Sequence, residues 1–270
     1  MSFIKLFVAS ALIFLSLQNV WGQGAFEGNH QAWNQLLKDN VVLSVDGFSS
    51  QVNYAGFAKQ QDALSHYLDR LSSVNQATFD AWSKDEQLAF LINAYNAWTV
   101  ALILTSYPDL KSIKDLGSFF NPPWGKAFFT LFDKKHSLND IEHELIRGSG
   151  RYNDPRIHFA VNCASIGCPA LRNEAYTSEV LNDQLNQQTL AFLSDKRRNR
   201  LNKDTLEVSS IFKWYKEDFE QGWMGFGSLE DVFIKYADAL QLSHKDIQKL
   251  KTQDLDIDYL DYDWSLNDVR

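Results

Sequence analysis

The chain has 270 residues, 45% hydrophobic and 14% aromatic, with 26 Lys+Arg against 34 Asp+Glu and a formal net charge of -8. That length buries an ample core as a single globular domain, and 5 Pro and 13 Gly exclude a disordered, collagen-like or linker-dominated chain. The acidic balance argues against nucleic acid as the partner, because phosphate binding needs a clustered positive field.

The chain opens on Lys5, an uncharged run from Leu6 to Leu17, and Val20-Trp21-Gly22 before Gln23. This layout predicts a cleavable signal peptide over residues 1–22 and a periplasmic or secreted domain over 23–270. A helix near His30–Lys38 leads to a strand at Val41–Val45, with Gln51–Tyr54 as its partner. Residues 56–72 repeat apolar positions at a helical period. Ser83 and Glu86 form a capping box ahead of Leu88–Leu104, which predicts a helix over about 84–106 that is apolar on nearly every face. That stretch is short for a bilayer and carries Asn93 and Asn96, so it reads as a central core helix, with no transmembrane segment in the mature chain. Phe119–Gly125 holds two prolines in a stiff aromatic loop, and a hairpin follows around Asp133. Ser137 caps a helix over 138–147. Arg156–Val161 alternates and reads as a strand, and Thr177–Leu193 as a helix. A second hairpin at Asn199–Val208, helices near 209–219, 228–240 and 243–251, and a closing strand in Asp254–Trp264 complete the chain. The expected class is α+β, a single compact domain whose central helix packs on a small, mainly antiparallel sheet.

The two cysteines lie in Asn162-Cys163-Ala164-Ser165-Ile166-Gly167-Cys168-Pro169. In an exported protein a Cys163–Cys168 disulfide is the default, and it requires a turn at Ser165–Gly167 because five extended residues span roughly 17 Å. The rival reading makes Cys163 a nucleophile served by a histidine, itself oriented by a third group. His143 is the preferred base; His158 is the spare, since on a strand its offset of five from Cys163 puts it on the opposite face. Glu86, Asn93 and Asn96 form a polar stripe along the central helix, so Asn93 or Glu86 is a candidate orienter and Asn96 site support, against the plainer role of core bracing. Asn162 and Trp214 are further candidates for the site wall. No metal or cofactor is expected: H-E-x-x-H, a glycine-rich phosphate loop and G-x-S-x-G are all missing, and the acidic tail reads as a solvated strand face.

Four ordered blocks from about residue 84 to 220 carry a likeness: Phe90–Ala97 (FLINAYNA), Ser137–His143 (SLNDIEH), Arg156–Pro169 (RIHFAVNCASIGCP) and Ile211–Phe219 (IFKWYKEDF). The sequence resembles the family called domain of unknown function 547, and its Tyr262–Asn267 ending is similar to exported bacterial members. The resemblance implies that Asn93, Asn96, His143, His158, Cys163 and Cys168 belong to one constellation. Two functions stay open. One is a thiol enzyme transferring or hydrolysing an amide, ester or thioester. The other is a non-catalytic envelope module that binds a peptide, glycan or partner, with the cysteines bridged; the expected ligand is thus a peptide, a glycan or, for the enzyme, a small acyl substrate.

Overall fold

The computed structural model describes Phe26, residues 30–118 and residues 120–269; the expected signal peptide lies outside the described residues. Helices α1 (Gln31–Asn40), α2 (Tyr54–Lys59), α3 (Gln61–Ser72) and α4 (Gln76–Asp80), with the hairpin β1 (Val41–Leu43) and β2 (Ser50–Val52), precede α5 (Lys84–Leu104). The single helix expected over 56–72 is two. Gln60 between them has φ −107° and ψ 26°, and its side chain is held outward by Asn40 Nδ2 at 2.6 Å and Asp39 at 2.9 Å.

Helix α5 starts at the expected capping box: Ser83 Oγ accepts from the Glu86 amide and Glu86 accepts from the Ser83 amide at 2.7 Å. Having no polar stripe wide enough to face water, it is buried on nearly every face past its first turn. It is long and apolar enough to cross a membrane, but the protein itself encloses it.

Beyond α5 come the hairpin β3 (Phe129–Leu131) and β4 (Lys134–His136), a π-helix at Asp140–Arg147 and a 3-10 helix at Pro155–Phe159. Then follow α6 (Leu181–Ser194), β5 (Arg200–Asn202), β6 (Thr205–Ser209), α7 (Ile211–Trp214), α8 (Lys216–Glu220), α9 (Leu229–Lys235), α10 (Ala237–Leu240), α11 (His244–Lys251) and β7 (Asp256–Leu260). The class is α+β, as expected. Among the described residues the strands form two separate hairpins and one three-stranded sheet, β5-β6-β7, rather than a single sheet; β6 and β7 pair in parallel, and an isolated parallel bridge joins Val52 to Asp268. In β7, Asp256 and Asp258 are exposed, the solvated face the alternation suggests.

The main correction concerns residues 156–161, which are not a strand. Asp154 caps the segment by accepting from the Arg156 amide at 3.0 Å, and Pro155 sits at the first helical position, so the backbone coils. Arg156 then reaches Asp154 at 2.7 Å and the side chains of Asn182 and Asn186 on α6. Two hydrophobic clusters result. One surrounds α5; the other gathers Phe192, Phe212, Phe219 and Phe233 from the later helices.

Candidate functional site

A cavity of about 210 Å³ lies at the seam of these clusters, with Tyr95 and Val161 from the first side and Ile211 and Tyr215 from the second. Four local devices build it. The π-helix supplies Glu142 and His143. Ser137 and Asp140 cap its start reciprocally, and its wider turn shows where the Gly148 amide donates to the His143 carbonyl, five residues back, at 2.8 Å. The 3-10 helix supplies His158. The break between α7 and α8 falls on Tyr215 and turns Trp214 and Tyr215 toward the cavity. The tail after β7 supplies Tyr262 and Trp264.

The polar side chains are wired together. Asp218 Oδ2 accepts from His158 Nε2 at 2.7 Å and from Arg147 Nε at 2.5 Å, and its Oδ1 accepts from Arg147 Nη2 at 3.1 Å. Burial pushes the Asp218 carboxyl up, but the hydrogen bonds from His158 and Arg147 outweigh it and hold the group at about 2. It is therefore a carboxylate at neutral pH. Burial also lowers His158, and the bond to Asp218 only partly offsets that. The imidazole is neutral, its proton on Nε2, while its buried Nδ1 has no hydrogen-bond partner. His143 is wired differently. Its Nδ1 lies 2.8 Å from Arg147 Nη1, and since guanidinium only donates, that lone pair is occupied. Tyr215 stacks on His158 at 3.9 Å between centroids and donates its hydroxyl to Glu142 Oε1 at 2.6 Å.

Cys163 and Cys168 are joined by a disulfide, with Cα atoms 6.1 Å apart. The turn this requires passes through Ala164 in the left-handed region (φ 62°). The turn is pinned by Asn162, whose Oδ1 accepts from the Ala164 amide at 2.9 Å and whose Nδ2 donates to Pro169 at 2.7 Å. The tail closes over it: Ile166 and Gly167 amides donate to Ser265 and Asp263, each at 2.8 Å. The Tyr262 hydroxyl stands 3.2 Å from both sulfurs. Gly167 permits that approach, since a Cβ there would meet the Tyr262 ring at 2.9 Å.

Residues 79–193 match the sequence model of a family described as "Protein of unknown function, DUF547". They form a DUF547 domain. No curated protein and no solved structure matches the chain. The DUF547 domain holds α5, the π-helix, the 3-10 helix and the cysteine turn, whereas Trp214, Tyr215, Asp218, Tyr262 and Trp264 lie beyond the matched residues. The cavity is thus finished by chain outside the matched DUF547 residues.

Of the residues nominated from sequence, His143, His158, Cys163, Cys168 and Trp214 line this cavity, and Asn162 lies buried beneath the cysteine turn. The structure does not bring Asn93, Asn96 or Glu86 to it. Asn93 clasps the Tyr176 backbone, donating to its carbonyl at 2.7 Å and accepting from its amide at 3.0 Å. Asn96 clasps the turn before Cys163 through the Ala160 carbonyl and the Asn162 amide. Glu86 remains an exposed capping residue. The opposite-face argument against His158 falls with the strand. Sequence reasoning did not nominate Arg147 or Asp218; the signals available were the spacing of four between His143 and Arg147, which sets them side by side on a helix, and the place of Asp218 in the Ile211–Phe219 block. Among the described residues, no three His, Cys, Asp or Glu side chains are grouped to hold a metal ion.

Proposed function

We propose that this cavity is the working site of a cysteine-dependent acyl-transfer enzyme or hydrolase. The observation that carries the reading is His158, pinned through Nε2 by a carboxylate and with Nδ1 unpartnered, lining the same cavity as Cys163. That is the arrangement of a base oriented by a third group. His158 suits the role better than His143, because Asp218 compensates an imidazolium at His158, whereas a charge on His143 would sit against the Arg147 guanidinium. The bridged form is the resting state. A dithiol reductant exchanges two electrons and two protons with it, leaving Cys163 and Cys168 as thiols. His158 Nδ1 takes the Cys163 proton and the thiolate attacks the carbonyl carbon of an amide, ester or thioester. The leaving amine, alcohol or thiol departs with that proton, and water or an acceptor then cleaves the acyl-cysteine. A signal-peptide-like start and a bridged cysteine pair support a periplasmic or secreted protein of the exported bacterial type.

Reduced protein alkylated near neutral pH tests the reading by mass spectrometry. Cys163 is expected to react at least about tenfold faster than Cys168, and Asp218→Asn to erase the difference by removing the carboxylate that supports the base. Equal rates for the two cysteines in the wild type would refute it. The disulfide itself favours a second reading, a binding module with a structural bridge; a bridge that resists dithiol while the protein stays folded selects that one.

A further inference from the structure

Glu142 is a buried carboxylate on the cavity wall, 5% exposed. It accepts from the Tyr215 hydroxyl at 2.6 Å, and the Tyr95 hydroxyl is bonded to it as well. Those donors are neutral. Among the described residues no ion pair includes Glu142; Arg147, on the same π-helix, attracts it through space, but its direct pair is with Asp218. Among the described residues lining the cavity, Glu142 is the one carboxylate, and no Lys or Arg stands with it there. Taking a carboxylate out of water costs several kcal/mol unless it is directly paired, so one held at a cavity by neutral donors, with the nearby cation paired elsewhere, favours a cation arriving from the cavity. The remainder of the wall suits that counterion. Trp264 packs on Trp214 at 5.7 Å and on Trp124 at 5.5 Å, and the Lys114 ammonium lies 3.7 Å from the Trp264 centroid, so this aromatic cluster already holds one cation. Indole faces attract cations through their quadrupole.

We infer that the cavity receives an ammonium group, with Glu142 as its counterion and Trp214 and Trp264 as its aromatic walls. The inference rests on the proposed function for the site's purpose and makes the substrate an amine-bearing acyl compound. At about 210 Å³ the cavity falls below the roughly 300–1,000 Å³ of drug-sized sites, so it takes a head group rather than a whole large ligand.

Binding is measured on the oxidised wild-type protein by calorimetry and tryptophan fluorescence. The probes are choline and n-butylammonium, each beside an uncharged isostere with carbon in place of nitrogen. At least one cation is expected to bind about tenfold or more tightly than its isostere, and which one separates a quaternary from a primary amine source. Glu142→Gln is expected to erase the preference. Trp214→Ala, at a half-exposed position, is expected to weaken the cation several-fold and serves if the Glu142 variant does not fold. Equal binding of cation and isostere, no saturable binding of either cation, or a preference retained in Glu142→Gln overturns the inference. Because these measurements need no thiol, they fail or succeed independently of the alkylation test.

Discussion

His30 shows what a single buried side chain implies for the acid limit of the fold. It is enclosed, its Nδ1 is 2.6 Å from the Tyr67 hydroxyl, and burial first, then the Arg70 charge, lowers it to about 3. The folded value lies below the unfolded 6.5. Its contribution is therefore complete above pH 6.5 and is lost as pH falls from there toward 3, and His158 acts with the same sign. Between pH 7.5 and pH 5 the His30 share amounts to about 2 kcal/mol. Denaturant titrations at both values are expected to show that loss in the wild type and a smaller one in His30→Gln. At this scale the sequence was readable only in part: it required the amides of Asn93 and Asn96 to be satisfied inside an apolar helix, but it nominated them for the site, and the plainer alternative of bracing is what the backbone of Tyr176, Ala160 and Asn162 provides. It was silent about Asp218, an ordinary acid until its partners, 60 and 71 residues away, are known.

At the scale of elements, legibility followed the strength of the local signal. Helix α5 was readable because a capping box and an unbroken apolar run agree, and the hairpin because the run Phe128–Phe132 breaks at Asp133-Lys134-Lys135; the turn itself falls on Phe132 and Asp133 in the left-handed region. Residues 156–161 were misread because period-two alternation over so short a stretch is also what a coiled segment produces when Arg156 and His158 are held by partners elsewhere. The Asp154-Pro155 start was the better guide. Asp154 both caps that segment and pairs with Arg156. Asp154→Ala is therefore expected to cost about 1–2 kcal/mol by denaturant unfolding, with Asp154→Asn recovering the capping part. An unchanged midpoint would mean that the contacts with α6 hold the segment without its cap.

Across the whole molecule, the cavity exists because two hydrophobic clusters meet with aromatic and ionisable side chains between them, an arrangement no window of sequence displays. Its cover comes from the tail, where Tyr262 shields both sulfurs and Asn267 is tied to the Tyr54 hydroxyl at 2.7 Å. Tyr262→Ala is expected to speed reduction of the bridge by dithiol several-fold in the native protein, read by quenched alkylation; an unaltered rate would assign the shielding to other groups. The spacing of these parts along the chain also sets a race. The cysteines are five residues apart, whereas Tyr262 follows Cys163 by 99. Closing the short loop costs far less chain entropy than docking the tail, and during synthesis both sulfurs emerge long before their shield. A chain oxidised in that interval folds its tail over a finished bond. A chain that folds first meets its oxidant with Cys168 buried and Cys163 reached only through the cavity. The redox history of the protein is thus written in the order of two folding events rather than in the stability of the final state.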